Sequence, residues 1–364
     1  MSTKPTIKIA FVDGAEYILQ YGTAVMDALT EFFKPEIATK DPDIVFYSNT
    51  GTTHLRYREC LKIYFTPENT APDFNECDYA VTSTPVVLGD RHLYLPFYAQ
   101  PQLGKETPAL PPVKAEQAKR PFCTFLYSHA KSGAGSSLRV EFCKRLMETY
   151  AHVDCPGAML HNVDIPELAG RVTPNWQQSK IEVLSRYKFN IAFENTTCAG
   201  YITEKLTDAF QADTVPIYWG ADGDPAPFPK EAMIYAPDYP DMDALIARIK
   251  EVNENDELYL AMLEANPLRH GMQMNREGEL RDFLRRIFER AAKGDKPFEK
   301  DVWCFGDAER LLAFGTKPWL FPLHVQRIVY AIGYLCLFGK ARQHFFRKRR
   351  DIERLIKNSK HMRK

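Results

Sequence analysis

A run of thirteen residues near the middle of the chain, FENTTCAGYITEK (Phe193–Lys205), carries carboxylate, amide, phenol and ammonium groups around a small-residue turn. The strand-like segment KFNIAF leads into it. The overlapping segment ITEKLTDAF places apolar residues at i, i+4, i+7 and i+8, which is one face of a helix. A second strand pattern, TVPIYWG (Thr214–Gly220), follows. The spacing predicts a β-α-β unit of about thirty residues.

The side chains of this segment suit a ligand that carries both phosphate and hydroxyl groups. In a β-α-β unit, the loop after the first strand and the helix N-terminus form the ligand crevice, and the free helix N–H groups suit a phosphate. Lys205, one turn into the helix, would add a positive charge, whereas Glu194 and Glu204 would meet hydroxyl groups. The segment therefore predicts a site for a molecule such as a sugar nucleotide. On spacing alone, a solvated turn with a helix cap explains the same residues about as well.

The rest of the chain reads as alternating strands and helices. At 364 residues it is too long for one ordinary core, so two domains are expected. An amphipathic helix is predicted over Tyr17–Phe33. The pattern as a whole predicts an α/β protein. Strands are predicted before the middle of the chain at Ile7–Val12, Asp43–Ser48, Leu61–Phe65, Tyr79–Thr82 and His92–Tyr98.

The predicted domain boundary is a proline-rich stretch. Gln100–Pro121 contains five prolines and no apolar periodicity, which is typical of a linker. The predicted division is a first domain over residues 1–115, a second over 116–300 and a C-terminal helical extension with a basic tail over 301–364.

Composition predicts a cytoplasmic protein. Lysine plus arginine and aspartate plus glutamate number 47 each, so the charges of the whole chain balance. The eight cysteines form no C-x-x-C pair, and reduced thiols are therefore expected. The first residues lead directly into a strand pattern, which argues against a secretory signal. The apolar segment Ile328–Phe338 has eleven residues, whereas a membrane span needs about 20.

The C-terminal tail is strongly basic. Gly339–Lys364 holds 11 basic and 2 acidic residues, and Phe345, Phe346 and Ile352 lie among them. Cationic and apolar side chains together suit an anionic membrane surface, so the protein is expected on the inner face of the membrane. Nucleic-acid binding is disfavoured because the remaining chain is acidic and has no nucleic-acid-binding motif. A plain solvated helix is the alternative.

The segment Arg186–Ala221 closely resembles the signature region of the α1,3/4-fucosyltransferases. The resemblance rests on FEN, on YITEK, on VPIYWG and on the spacing between them. Weaker similarity extends through Leu61–Ser83 and Ser136–Leu146 and covers most of the chain to about residue 300. The family transfers L-fucose from GDP-fucose to N-acetylglucosamine in oligosaccharides.

The resemblance implies a fold and a reaction. It implies two Rossmann-like domains facing across a cleft (GT-B type), with the acceptor on the first domain and GDP-fucose on the second. It implies inversion at the fucose anomeric carbon and no required cofactor, and it leaves stimulation by Mn²⁺ or Mg²⁺ open. The motif Asp222-Gly-Asp224 imitates a metal-binding D-x-D sequence, but a turn in a proline-rich loop is the favoured interpretation. The membrane anchor and stem of animal members, and the heptad repeats of some bacterial members, are not visible.

The resemblance also assigns three catalytic residues. Glu68, in the turn TPEN after a strand, is the expected general base, because an inverting displacement needs a carboxylate to deprotonate the acceptor hydroxyl. Arg139 and Lys205 are the expected cations for the departing diphosphate. Without the resemblance, Glu68 would read as a solvated turn residue and Arg139 as one more exposed basic residue.

Four further residues are expected to bind the donor. Asn195 and Tyr201 are expected to donate to phosphate or ribose, Glu204 to accept from a ribose or fucose hydroxyl, and Glu194 to order the loop and the fucose pocket. The chain is therefore expected to be a bacterial-type α1,3/4-fucosyltransferase acting on N-acetylglucosamine or glucose of an oligosaccharide. Transfer from another GDP-sugar, or an inactive sugar-nucleotide-binding scaffold at the membrane, are the alternatives.

Overall fold

The structure, a computed structural model, divides into two compact units. The first consists of Met1–Thr66, Pro72–Val81 and Phe283–Lys364, and the second of Pro67–Ala71 and Thr82–Asp282. The residues that the structure describes are 4–18, 30–85, 88–102, 105–128, 134–168, 176–295 and 297–298.

The first unit is built on a parallel sheet. Its strands lie in the order β2-β1-β3-β4-β5. The pairings β1 with β2, β1 with β3 and β3 with β4 are parallel, with Ile9 opposite Ile44 and Ile44 opposite Leu61. All residues of β3 and β4 are buried, as expected of strands covered on both faces. The strand bounds are Thr6–Val12 (β1), Lys34–Ile37 (β2), Ile44–Tyr47 (β3), Leu61–Thr66 (β4) and Tyr79–Thr82 (β5).

A long amphipathic helix, α6 (Glu277–Ala292), contributes to the core of the first unit. Its apolar residues at i, i+3, i+4, i+7 and i+8 form one buried face. The Phe288 ring lies 5.7 Å from that of Phe33, and the Phe283 ring meets that of Tyr79 edge-on at 6.0 Å. The buried residues of this face are Leu280, Phe283, Leu284, Ile287 and Phe288.

The second unit holds a four-stranded parallel sheet, in the order β10-β9-β8-β7. Helices alternate with its strands, as in other α/β proteins. The bounds are His92–Tyr94 (β6), Cys123–Thr124 (β7), Ala134–Thr149 (α1), Trp176–Leu184 (α2), Phe189–Phe193 (β8), Glu204–Gln211 (α3), Val215–Trp219 (β9), Ile234–Tyr235 (β10), Met242–Glu254 (α4) and Asp256–Glu264 (α5).

The predicted β-α-β unit is confirmed. It consists of β8, α3 and β9, and the two strands are parallel neighbours that place Phe193 opposite Trp219. Leu206, Ala209 and Phe210 are buried on the predicted face of α3. The loop after β8 therefore leaves the carboxyl edge of the sheet, where α/β proteins bind ligands.

One predicted strand is shorter in the structure, and one observed strand was not predicted. The strand expected over His92–Tyr98 ends at Tyr94, because Pro96 lacks an N–H and restricts the residue before it. The strand β2 was not predicted, since its sequence KPEI has no apolar run and its residues are largely exposed. Most of the helix predicted over Tyr17–Phe33, and the whole extension 301–364, lie outside the described residues.

The proline-rich stretch Gln100–Pro121 lies within the second unit. The Thr107 amide donates to Gln273 Oε1 at 3.1 Å, and Gln117 Nε2 donates to Asp213 Oδ2 at 2.8 Å. Because these contacts are polar, they give the sequence no apolar periodicity, and the stretch reads as a linker although it contacts the second unit. The division by contacts therefore differs from the predicted boundaries of 1–115 and 116–300, which stay a prediction.

The described part of the chain contains no disulfide bond. The six cysteines within the described ranges are free thiols, and Cys143 Sγ and Cys155 Sγ are hydrogen-bonded at 4.0 Å. None of the helices in the described ranges has the length and apolar character needed to cross a membrane.

A buried histidine fixes the loops after β1 and β3. His54 Nδ1 lies 2.7 Å from Asp13 Oδ2, and its Nε2 lies 3.2 Å from Glu76 Oε2. The ring stacks on Tyr47 at 3.7 Å, and its side chain is 3% exposed. Burial disfavours the imidazolium, but the hydrogen bonds and charges of Asp13 and Glu76 outweigh it and raise the pKa of His54. Protonation of His54 therefore stabilises the first unit.

His54→Gln should weaken the fold and reduce its pH dependence. The raised pKa means that the stabilising charge is fully present below the unfolded pKa, about 6.5, and is lost as pH rises through the folded value. We expect the unfolding free energy of the wild type to fall over that range and that of the variant to change less. Near pH 6 the variant should be at least about 1.5 kcal/mol less stable, because it loses a charge-assisted hydrogen bond. Urea unfolding across this pH range measures both.

The matched control is His152→Gln. The His152 side chain is 70% exposed and lies 3.2 Å from Asp154 Oδ1. This control should retain the wild-type slope, because an exposed pair contributes little. An unchanged slope in His54→Gln would contradict the role of the buried imidazolium.

Candidate active site

The thirteen-residue segment forms the loop between β8 and α3. The Glu194 amide donates to Trp219 O at 2.9 Å, which fixes the start of the loop on β9. At its other end, Thr203 is the N-cap of α3 and accepts from the Lys205 amide. The polar residues of the segment are thus held close to the carboxyl edge of the sheet.

Glu194 is the buried centre of this loop. Its side chain has no exposed surface. Its Oε1 accepts from the Thr203 amide at 2.8 Å, and its Oε2 accepts from Thr203 Oγ1 at 2.7 Å. Burial raises the pKa of Glu194, while Lys205 opposes that shift. Glu194 therefore orders the loop, as expected, and its contact with the donor stays a prediction.

Lys205 compensates the charge of Glu194. Its Nζ lies 3.2 Å from Glu194 Oε2 and 3.6 Å from Glu204 Oε1, and it donates to Thr203 Oγ1 at 3.0 Å. Burial alone would lower the pKa of Lys205, but the charges of Glu194 and Glu204 outweigh burial and raise it. The lysine is therefore a permanent cation at the start of α3.

Glu204 has a carboxylate oxygen available to a ligand. Its Oε2 is buried and has no hydrogen-bond partner among the residues that the structure describes. Burial would raise the pKa of Glu204, but Lys205 and Lys180 outweigh burial and lower it, so the carboxylate is ionised. A buried acceptor without a partner is costly unless a ligand completes it. This geometry suits the expected contact with a sugar hydroxyl.

Arg139 is a buried cation and not an exposed basic residue. It lies on α1 with 2% exposure, and its guanidinium carbon lies 4.0 Å from the centre of the Tyr127 ring. Arg139 Nη1 donates to Asn195 Oδ1 at 2.7 Å. The Gly135 amide donates to Asn195 O at 2.9 Å. The structure therefore brings Arg139 and Asn195 together next to the loop.

Gly135 allows this close approach. A Cβ at position 135 would collide with the carbonyl oxygen of Glu194 and with the Trp219 ring. Glycine is required here for contact between the start of α1 and the loop.

Tyr201 and Glu68 are near enough for the charge of Glu68 to act on the Tyr201 phenol. Tyr201 is 3% exposed, and burial raises its pKa, with the charges of Glu194 and Glu68 adding to the effect. The phenol is therefore neutral and able to donate a hydrogen bond. Glu68 is exposed in the turn after β4 and, with Pro67–Ala71, belongs to the second unit. The structure thus brings the seven expected residues to one region, and their catalytic and binding roles stay predictions.

Sequence reasoning missed the two threonines that connect the site. Thr203 Oγ1 donates to Glu194 and accepts from Lys205, and Asn69 Nδ2 donates to Thr196 Oγ1 at 2.8 Å. The position of Thr203 before Glu204 and Lys205 is a helix-cap signal that could have identified it. No local signal predicts the contact of Asn69, because 127 positions separate the partners.

The motif Asp222-Gly-Asp224 forms a turn, as expected. Asp222 has φ 45° and its amide donates to Thr197 Oγ1, and Asp224 Oδ1 accepts from the Ala226 amide at 2.9 Å. In the described part of the chain, no group of three or more His, Cys, Asp or Glu side chains could hold a metal ion.

Two family models match this chain. Residues 116–267 match "Glycosyltransferase family 10 (fucosyltransferase) C-term", and residues 9–100 match "Alpha-(1,3)-fucosyltransferase FucT N-terminal domain". Together they cover more than half of the chain. The chain belongs to the fucosyltransferases of glycosyltransferase family 10. The gap between the two models, residues 101–115, falls inside the predicted linker.

Curated fucosyltransferases share part of this sequence. The α-(1,3)-fucosyltransferase FucT of Helicobacter pylori is 29% identical over an alignment of 291 residues. The alignment covers 72% of this chain and 61% of that protein. The GDP-fucose protein O-fucosyltransferase 3 of Homo sapiens is 31% identical over 128 residues, which are 35% of this chain and 26% of that protein. The chain therefore spans 61% of the length of the first relative and about a quarter of the second.

Solved structures show the fold of this family. A crystal structure of an α1,3-fucosyltransferase has a TM-score of 0.64 and 24% identity, and covers 82% of this chain and 95% of that one. A crystal structure of an α1,3-fucosyltransferase with GDP-fucose has a TM-score of 0.61 and 23% identity, and covers 79% and 92%. The expected GT-B-type α/β fold is confirmed.

Lys205→Met should destabilise the protein by leaving Glu194 buried without a compensating charge. Such a loss commonly costs about 3–5 kcal/mol near neutral pH. The pKa of Glu194 is already raised in the folded state, so its protonation should relieve part of the loss as pH falls. The double variant with Glu194→Gln should regain much of the stability, because no unpaired charge remains. Thermal unfolding of the three variants measures this coupling.

The control is Lys230→Met. Lys230 pairs with Asp238 at 2.6 Å, and both side chains are more than 40% exposed. This change should cost at most about 1 kcal/mol. A double variant no more stable than Lys205→Met would show that the unpaired carboxylate is not the cause.

Proposed function

We propose that this protein transfers L-fucose from GDP-fucose to N-acetylglucosamine or glucose of an oligosaccharide, in α1,3 or α1,4 linkage and with inversion. The observation that carries the proposal is the group around the β8–α3 loop. The Arg139 cation bonds to Asn195 of this loop, and the Lys205 cation lies 3.6 Å from Glu204 Oε1. The other oxygen of that carboxylate, Glu204 Oε2, is buried and has no hydrogen-bond partner in the described part of the chain. Cations suit a diphosphate and the carboxylate oxygen suits a sugar hydroxyl.

The donor assignment has support from two directions. A related α1,3-fucosyltransferase, similar in fold, has been solved with GDP-fucose. In this chain, Asn195 already lies in hydrogen-bond contact with Arg139, and the neutral phenol of Tyr201 is able to donate to a phosphate or to ribose. Membership of the fucosyltransferase family makes GDP-fucose the favoured donor over other GDP-sugars.

The reaction assigns one task to each charged group. Glu68 takes the proton of the acceptor hydroxyl while that oxygen forms a bond to C1 of fucose. The bond between C1 and the β-phosphate oxygen breaks at the same time, and its electron pair leaves with GDP. Arg139 and Lys205 stabilise the charge that develops on the diphosphate. No step requires a metal, and adding Mn²⁺, Mg²⁺ or a chelator to the assay tests whether either ion stimulates transfer.

The acceptor is the less constrained half of the proposal. The relatives include proteins named α-(1,3)-fucosyltransferase and GDP-fucose protein O-fucosyltransferase 3. Type 1 and type 2 N-acetyllactosamine, together with a polypeptide acceptor, therefore form the assay panel, and NMR assigns the linkage. Transfer from another GDP-sugar, or donor binding with neither transfer nor slow GDP release, would favour one of the alternatives.

Glu68→Gln should abolish most of the transfer and leave donor binding intact. Glutamine keeps the shape and part of the hydrogen bonding of glutamate but cannot take a proton, so kcat should fall at least about a hundredfold. The Kd for GDP-fucose should change little. Glu204→Gln should instead weaken donor binding along with the rate, because its carboxylate is assigned to the donor. Steady-state kinetics and calorimetry separate the two effects.

The matched control is Glu36→Gln on the exposed strand β2. It should transfer like the wild type. A folded Glu68→Gln enzyme with near wild-type kcat would place the base elsewhere, whereas a wild type that transfers fucose to no member of the panel would contradict the function itself.

We also propose that Gly339–Lys364 holds the protein on the cytoplasmic face of an anionic membrane. The support is the sequence alone, because this tail lies outside the described residues. Deleting it should release the protein from anionic vesicles and leave turnover with a soluble acceptor nearly intact, since the site residues lie upstream. Vesicle sedimentation at two salt concentrations measures the effect. Equal sedimentation with and without the tail would contradict the membrane role.

A further inference from the structure

The turn that carries Glu68 is anchored by its neighbour Asn69. Asn69 Nδ2 donates to Thr196 Oγ1 at 2.8 Å, in a partly buried contact between residues 127 positions apart. The five residues Pro67–Ala71 belong by their contacts to the second unit, whereas β4 before them belongs to the first. By its contacts the turn thus groups with the β8–α3 loop.

This contact lies in a continuous path between two expected catalytic groups. Thr196 directly follows Asn195, whose Oδ1 accepts from Arg139 Nη1 at 2.7 Å. Glu68 and Asn69 are likewise neighbours in sequence. Two hydrogen bonds and two peptide linkages therefore connect the expected base to the expected diphosphate cation.

The loop on which Asn69 docks is itself held in place. Thr197 Oγ1 accepts from the Asp222 amide at 2.9 Å, and Gly200 O accepts from Tyr94 Oη at 2.6 Å. Gly200 has φ 70°, and a Cβ there would meet Pro85 and the Tyr94 hydroxyl at 3.0 Å. The loop is thus a fixed support, so a hydrogen bond to Thr196 sets the position of the turn.

We propose that Asn69 is a positioning residue: its hydrogen bond to Thr196 fixes the Glu68 carboxylate relative to Arg139 and the donor. The inference rests on the proposed function. It goes further by assigning a task to two side chains that touch no reacting atom. Glu68 is exposed in the turn after β4, and the bond of its neighbour Asn69 ties that turn to the loop. A misplacement of about 1 Å in a catalytic group can cost about a hundredfold in rate.

The test compares Asn69→Ala, Thr196→Val and Thr196→Ser in the transfer assay. Valine has the shape of threonine without the hydroxyl, whereas serine keeps the hydroxyl. We expect kcat to fall about 10- to 100-fold in the alanine and valine variants, with GDP-fucose Kd within about twofold of wild type. Thr196→Ser should recover most of the rate. The double variant Asn69→Ala/Thr196→Val should be no slower than either single variant, because both remove the same contact.

A second comparison shows whether Asn69 acts through Glu68. In the Glu68→Gln background, Asn69→Ala should cause no further loss of kcat, because the group that it positions no longer takes the proton. The matched control is Thr149→Val, which is the same substitution at an exposed threonine whose hydroxyl donates to Arg145 O within α1. It should not produce a loss of kcat at unchanged donor affinity.

Four results would overturn the proposal. They are a wild-type kcat in Asn69→Ala or Thr196→Val, equal losses in the serine and valine variants, additive losses with Glu68→Gln, and a loss in Thr149→Val that matches Thr196→Val. Each of these leaves wild-type fucose transfer intact, so the proposed function would survive. A wild type without transfer would contradict the proposed function, and the role of Asn69 would fall with it.

Discussion

The buried carboxylate of Glu194 is the constraint on which the candidate site depends. A carboxylate without solvent is tolerated only when hydrogen bonds and a countercharge compensate it. Both come from the same short segment, since Thr203 provides an amide and a hydroxyl and Lys205 provides the charge. Residues 194 to 205 must therefore close into one compact loop, with α3 starting where its N-cap also serves the carboxylate.

Closing this loop sets the position of the surrounding groups. Asn195 and Thr196 follow Glu194 directly, so their side chains are available to Arg139 and to Asn69. Glu204 is placed at the first position of α3, beside Lys205. One buried acid thus organises the contacts with helix α1, with the turn after β4 and with the start of α3, although it need not touch a reacting atom.

Sequence patterns predicted the parts of this arrangement that have a local signal. The buried run of β8, the apolar face of α3 and the strand β9 follow from periodicity. The resemblance named seven residues that the structure brings to one region, and their roles stay predictions. Burial of Arg139 could not be predicted, because its cover comes from Tyr127 on another segment. The edge strand β2 lacks an apolar pattern, and the contact of Asn69 with Thr196 joins distant residues. Both depend on tertiary structure alone.

The hydrogen-bond geometry of Lys205 suggests how the site can hold an anion although its charges are already balanced. An ammonium group has three protons. Thr203 Oγ1 accepts one at 3.0 Å, while Glu194 Oε2 and Glu204 Oε1 lie 3.2 and 3.6 Å from the nitrogen and hold it as ion pairs. The ammonium is thus oriented by one hydrogen bond and two charges, and it keeps donor capacity for a ligand oxygen near Glu204. Since Glu194 fixes the ammonium before any ligand arrives, little reorganisation is needed when charge develops on a diphosphate. Binding in this site then depends on a preorganised donor rather than on an excess of positive charge.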